Sequence, residues 1–96
     1  MITELATLHV RENQSGEFEN SFAEAQKIVS GMKGYIDHEL QKCVEEDNKY
    51  VLIVRWEKLK DHTEGFRKSE EYGRWKELLH HYYIPFPTVE HYVKIF

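Results

Sequence analysis

The segment from Tyr50 to Tyr82 holds both tryptophans, Trp56 and Trp75, and with them Phe66, Arg67, Tyr72, His62, His80 and His81. Aromatic rings with a few polar tips make the walls of a pocket for a flat organic molecule. The competing use of the same rings is to fill the core that a small domain must bury. Histidine adds a second capacity. Its ordinary pKa, about 6.5, suits it to taking or giving a proton near neutral pH.

Six histidines occur, and their surroundings sort them. His38 alternates with Ile36 and Leu40, so it shares a strand side with two apolar residues; a turn of the right parity sets it beside Val54 and diagonal to Trp56. It is a candidate base, and equally a hydrogen-bonded core histidine. His62 follows Trp56 in the first turn of a helix, facing either a pocket or solvent. His80 and His81 are adjacent, so on a helix they diverge by roughly 100° and cannot serve one metal together. One joins the side of Tyr72 and Trp75 and the other is solvated. His91 shares a face with Val89 and Val93, which points to a dimer contact or the core, and His9 reads as ordinary strand. No pair has zinc-motif spacing and the glycines form no phosphate loop, so neither a metal nor a nucleotide cofactor is expected. Arg67 is a candidate for orienting an anionic group.

The elements that position these groups follow from periodicity. Ile2 to Val10 alternates as a strand with neither face strongly polar. Ser15 is placed to cap a helix from about residue 16 to residue 32, whose core stripe is Phe18, Phe22, Ala25, Val29 and Met32. Gly31 and Gly34 bracket its end. A second strand runs from about Tyr35 to Val44. Tyr50 to Trp56 is the most apolar run, suited to the middle of a sheet. Asp61 and Glu64 have capping-box spacing for a short helix carrying Phe66, and Ser69 with Glu70 and Glu71 opens another. Pro85 and Pro87 end helix, and Val89 to Phe96 alternates as a last strand. The order is strand, helix, strand, strand, broken helix, strand: an α+β, ferredoxin-like domain over residues 1–96, a four-stranded antiparallel sheet with helices on one face. The other face is expected to be buried against a second copy.

Composition narrows the function classes. The 96 residues carry 13 Lys+Arg against 17 Asp+Glu, a net charge of -4 with no basic run longer than a pair, which argues against nucleic acid. The lone Cys43 cannot form an internal disulfide and suits a reducing, cytoplasmic setting. No signal peptide and no apolar run of membrane-spanning length is expected.

Gly34-Tyr35, Val54-Arg55-Trp56-Glu57, Phe66-Arg67-Lys68-Ser69 with Tyr72, and Pro85-Phe86-Pro87-Thr88-Val89-Glu90-His91-Tyr92 resemble the antibiotic biosynthesis monooxygenase domain family across nearly the whole chain. The resemblance implies ferredoxin-like subunits paired as a homodimer in a dimeric α/β barrel. It also implies a monooxygenase without cofactor, acting on a small phenolic, anthrone-like or enolisable aromatic molecule. Trp56 matches a tryptophan of the family's anthrone-type oxygenases. Leu52 stands where those use a polar amide and His62 where they use a tyrosine. The haem-degrading branch needs an Asn, a Trp and a His where this chain has Thr7 or Ala6, Phe66 and Lys76, so haem degradation is not implied. Such oxygenation requires a base and a dry aromatic box that holds the substrate anion beside dioxygen. On this reading Trp56 belongs to the reaction centre with His38 or His62 as the base, and Leu52, Phe66, Arg67, Tyr72 and Trp75 bind substrate. The alternative is a non-catalytic module that binds or senses a hydrophobic metabolite.

Overall fold

The computed structural model describes residues 1–96. Alternation along the first strand, β1 (Ile2–His9), buries Glu4, Ala6 and Leu8 on one face, and the third, β3 (Lys49–Trp56), buries Tyr50, Leu52, Val54 and Trp56. The two pair antiparallel from Ile2↔Trp56 to His9↔Lys49, which stacks the two apolar sets side by side. Helix α1 (Ser15–Val29) lays Phe18, Phe22, Ala25 and Val29 against that face. Phe18 and Ala25 are fully enclosed, and each large side chain so removed from water contributes about 1.5–3 kcal/mol.

The strand order is β2-β3-β1-β4, with β2 at Tyr35–Lys42 and β4 at Val89–Tyr92. All pairings are antiparallel, giving the expected ferredoxin-like α+β topology with the apolar β3 inside the sheet. Helix α2 (Glu70–Leu79) packs beside α1, contributing Trp75 and Leu79 to the core. The opposite sheet face is uncovered in the single chain. Its centre is apolar, with Leu5, Val51 and Ile53 half-buried, while Asp37, Glu39 and Gln41 make its β2 margin polar and exposed.

Several boundaries differ from the expected ones for local reasons. Ser15 does not cap α1; its hydroxyl donates to Asn48 Oδ1 at 2.6 Å, tying the helix start to the β2–β3 turn. The helix ends at Val29, and Gly31 and Met32 make three-residue turns back to Ile28 and Val29. β2 stops at Lys42 and β4 at Tyr92, both earlier than alternation alone predicts. Gly34 does serve the turn into β2: its φ is +84, and a side chain there would collide with the Asp61 carboxylate.

The expected capping box at Asp61 and Glu64 is not formed. Asp61–Phe66 is a wide π-type turn with no side-chain cap, and Asp61 Oδ2 instead accepts from the backbone N–H of Lys58 at 3.1 Å. Ser69 does cap α2, accepting from the N–H of Tyr72 at 3.2 Å. No helix is long and apolar enough to cross a membrane.

Candidate functional site

Between the helical layer and the β1–β4 half of the sheet lies a cavity of about 410 Å³. Alternation supplies its floor: Glu4, Ala6 and Leu8 of β1, Leu52 of β3 and Val89 of β4. The π-type turn contributes His62 and Phe66, followed by Arg67, and α2 contributes Tyr72 and Trp75. His80, Tyr83, Phe86 and Pro87 close the remaining side. The rings brace one another. Phe66 meets Tyr72 edge-on at 5.2 Å and Trp75 at 5.5 Å, and Tyr72 meets His80 at 5.8 Å.

One end of this chamber is a buried polar cluster, and three elements build it. Glu4 and His91 are opposite one another in the β1–β4 ladder. His62, from the π-type turn, sits over both. Its Nδ1 is 2.8 Å from His91 Nε2, and its Nε2 is 3.4 Å from Glu4 Oε1. Trp56 Nε1–H donates to the same Glu4 oxygen at 2.9 Å, and the Trp56 ring stacks on His62 at 5.6 Å. Because Glu4 and His91 approach opposite nitrogens of one imidazole, the three do not converge on a point. No group of three such side chains is placed to hold a metal ion.

Burial governs the charge of this cluster. Glu4 is 7% exposed and His62 3%. Loss of hydration raises the Glu4 carboxyl above its usual range, opposed by the Trp56 hydrogen bond and by Arg67. The same loss pushes His62 down to about 3, helped by the positive Arg67 and by His91. His91 and His80 are also lowered, chiefly by burial, and Tyr72 and Tyr83 are raised by it. The 3.4 Å contact between His62 and Glu4 has ion-pair length, yet burial disfavours both charges, so His62 is neutral there.

The residues singled out from sequence divide into three groups. Leu52, His62, Phe66, Arg67, Tyr72 and Trp75 line this cavity together. Trp56 does not; it is wholly buried one layer behind, holding Glu4 and His62. His38 is elsewhere. It pairs with Val54 as the parity argument required, but β2 lies at the far edge of the sheet from β4. There its ring is tied to Tyr35 Oη at 2.5 Å and to Gln26 Oε1 at 2.9 Å, so its expected place beside a pocket is corrected to a tether between β2 and α1. Of the adjacent pair, His80 faces the cavity and His81 is exposed.

Sequence reasoning passed over Glu4 and gave His91 a core or dimer role. The signal for Glu4 was present: it alternates in phase with Ala6, Leu8 and Val10, a carboxylate on an apolar face. His91 carried no such mark, because its meaning depends on the β1–β4 register.

A family model described as antibiotic biosynthesis monooxygenase matches residues 1–78. The Bacillus subtilis (strain 168) protein YczJ, itself uncharacterized, is 60% identical over 92 residues, covering 96% of this chain and 97% of that one. A solved Bordetella bronchiseptica structure, provisionally named an antibiotic biosynthesis monooxygenase, superposes with a TM-score of 0.95 at 27% identity, covering 99% of this chain and 97% of that one. SnoaB, a cofactor-independent oxygenase from Streptomyces nogalater, superposes in a mutant form with a TM-score of 0.79 at 21% identity, covering 99% and 93%, a likeness of fold. On the match across residues 1–78 and the 60% identity to YczJ, this chain belongs to the antibiotic biosynthesis monooxygenase family.

Proposed function

We propose that the chain is a cytoplasmic, cofactor-independent monooxygenase that oxidises a small phenolic, anthrone-like or enolisable aromatic molecule, and that it acts as a homodimer. The observation that carries this reading is the chamber itself: about 410 Å³, walled by aromatic rings, with a buried carboxyl and imidazole at one end and Arg67 in its wall. Phe66, Tyr72 and Trp75 hold a flat ring system and keep water from it. Removal of the substrate's proton at the Glu4–His62 end leaves a delocalised anion, which Arg67 stabilises. Dioxygen then takes electrons from that anion. For an activated methylene the balance is one methylene and one dioxygen giving one carbonyl and one water. One oxygen atom enters the new carbonyl, and the other leaves as water with both methylene hydrogens. Dimerisation would cover Leu5, Val51 and Ile53 on the outer sheet face.

Oxygen uptake with a panel of hydroxylated anthrones and quinols tests the reaction: turnover well above the buffer rate is expected, and no uptake above buffer overturns it. Light scattering at low protein concentration tests the dimer, and a monomer mass refutes it. A second reading rests on Leu52, an apolar residue where the anthrone-type oxygenases use an amide. Under it the same chamber binds or senses a hydrophobic metabolite without turning it over. Quenching of Trp75 fluorescence by an anthrone, with oxygen uptake equal to buffer, is its signature.

A further inference from the structure

Three residues from three elements form a polar line leading out of a chamber walled mainly by aromatic and aliphatic side chains. Glu4 begins it, on the chamber floor. Both of its close contacts, Trp56 Nε1 at 2.9 Å and His62 Nε2 at 3.4 Å, are to Oε1. No buried side-chain oxygen in the protein lacks a hydrogen-bond partner, so Oε2, which has none, is not fully buried, and Glu4 lines the chamber. His62 continues the line, and its other nitrogen contacts His91 at 2.8 Å. His91 ends it, half-buried on β4 at the edge of the sheet.

We propose that Glu4 takes the proton from the substrate, and that His62 and His91 carry that proton between the chamber and solvent at the β4 edge. The substrate step rests on the oxygenase reading above; the conducting line does not. The His62–His91 hydrogen bond has two senses, and so has the hydrogen bond made when the 3.4 Å contact between Glu4 and His62 closes. With Glu4 protonated, its O–H points to His62 Nε2, His62 Nδ1–H donates to His91 Nε2, and His91 keeps its own proton on Nδ1. Moving each proton one bond outward delivers one proton from His91 Nδ1 to water. It leaves a carboxylate with His62 protonated on Nε2 and His91 on Nε2. No imidazolium is needed in either end state, and both contacts remain satisfied. The emptied carboxylate then accepts the substrate's proton on Oε2, and a half turn of the carboxyl brings that proton to face His62. Each ring regains its starting tautomer by giving up its Nε2 proton and taking one at Nδ1, in exchange with water between turnovers.

The groups facing Glu4 suit this role. Burial keeps its carboxyl above the usual range and His62 neutral, as a base working near neutral pH and a neutral conductor require. Arg67 opposes the first and assists the second, and Tyr72 presents only a phenol kept neutral by burial. Trp56 is a positioning residue: its N–H fixes Oε1 so that Oε2 is left for the substrate.

The experiment is nitrogen-15 NMR of histidine-labelled full-length protein, wild type and Glu4→Gln, across the pH range in which the carboxyl ionises. Gln retains an oxygen for the Trp56 hydrogen bond, so the fold is kept. The expected wild-type result is a concerted tautomer swap of His62 and His91, both rings staying neutral, which is absent in Glu4→Gln. Rings that titrate independently, or a swap that survives in Glu4→Gln, overturn the conducting line. In parallel, oxygen uptake with 1,8-dihydroxyanthrone is expected to fall by about 100-fold or more in Glu4→Gln. His91→Asn is expected to lose about 10-fold, recovered by imidazole buffer. Glu4→Gln turnover close to wild type overturns Glu4 as the base. Absent wild-type turnover defeats the oxygenase reading and with it the substrate step, while the NMR result still decides the conducting line.

Discussion

Two histidines in this molecule each have close partners at both ring nitrogens, and they are put to opposite uses. His38 sits between Tyr35 Oη and Gln26 Oε1. Gln26 Oε1 can only accept, so His38 must donate from Nε2 and receive the Tyr35 hydroxyl at Nδ1, which fixes one tautomer. His62 sits between Glu4 and His91, each of which can hold or release a proton. Its two tautomers are therefore both satisfiable. The first arrangement is a tether joining β2 to α1; the second is a conduit. What separates them is the chemistry of the partners together with the cavity beside His62, and a looser hold on the His62 ring, whose contact with Glu4 is 3.4 Å.

If the His62 side depends on a rigid backing, removing that backing should cost most. Trp56 is fully buried, stacks on His62 and donates to Glu4. Trp56→Ala leaves a large void and an unpartnered carboxyl oxygen, and is expected to destabilise the fold by about 3–5 kcal/mol. Trp56→Phe keeps part of the ring packing but loses the N–H and the rest of the indole, for about 1–3 kcal/mol. Urea unfolding with comparison of midpoints measures both. Equal losses in the two variants would mean that the hydrogen bond to Glu4 matters more than the packing.

The next effect is a dependence on pH. In the folded chain His62 is lowered to about 3, while in the unfolded chain it titrates at its ordinary value, about 6.5. Between these values the unfolded chain binds more protons, so stability rises with pH across that window and is lost as pH falls through it. Glu4, whose carboxyl is raised, acts with the opposite sign above its ordinary value of 4.5. His38, His80 and His91 are also lowered and reinforce His62. His62→Asn should therefore narrow, without abolishing, the drop in Tm between about pH 7 and pH 4. Calorimetry at the two values measures it, and an unchanged gap would mean that His62 is protonated in the fold.

The same contrast explains how much could be read in advance. Period-two alternation in β1 and β3, and the Phe18-Phe22-Ala25-Val29 stripe of α1, are local signals strong enough to give the sheet, the helix and their order. Phe66, Arg67, Tyr72 and Trp75 were legible as a group because one short segment delivers them to one chamber. Parity correctly paired His38 with Val54, but periodicity is blind to where along the sheet a cavity opens. The chamber lies over β1 and β4, which no local pattern reveals. The Asp61 spacing misled because backbone geometry outweighed it: the carboxylate was captured by Lys58 N–H before any helix start could use it.

The smallest effect belongs to the tether. His38 is only half-buried, and its bonds to Tyr35 and Gln26 compete with water at the sheet margin. A partly exposed hydrogen bond contributes about 0.5–1.5 kcal/mol net, and deleting the ring leaves a phenol and an amide that water can satisfy. His38→Ala should then cost about 1 kcal/mol in urea, with oxygen uptake on an anthrone unchanged. The geometry gives the reason for the second half: His38 does not line the chamber, and β3 and β1 stand between its strand and β4. A His38→Ala protein that folds but loses turnover would break the comparison, because a residue at the β2 margin would then be acting on a chamber it does not touch.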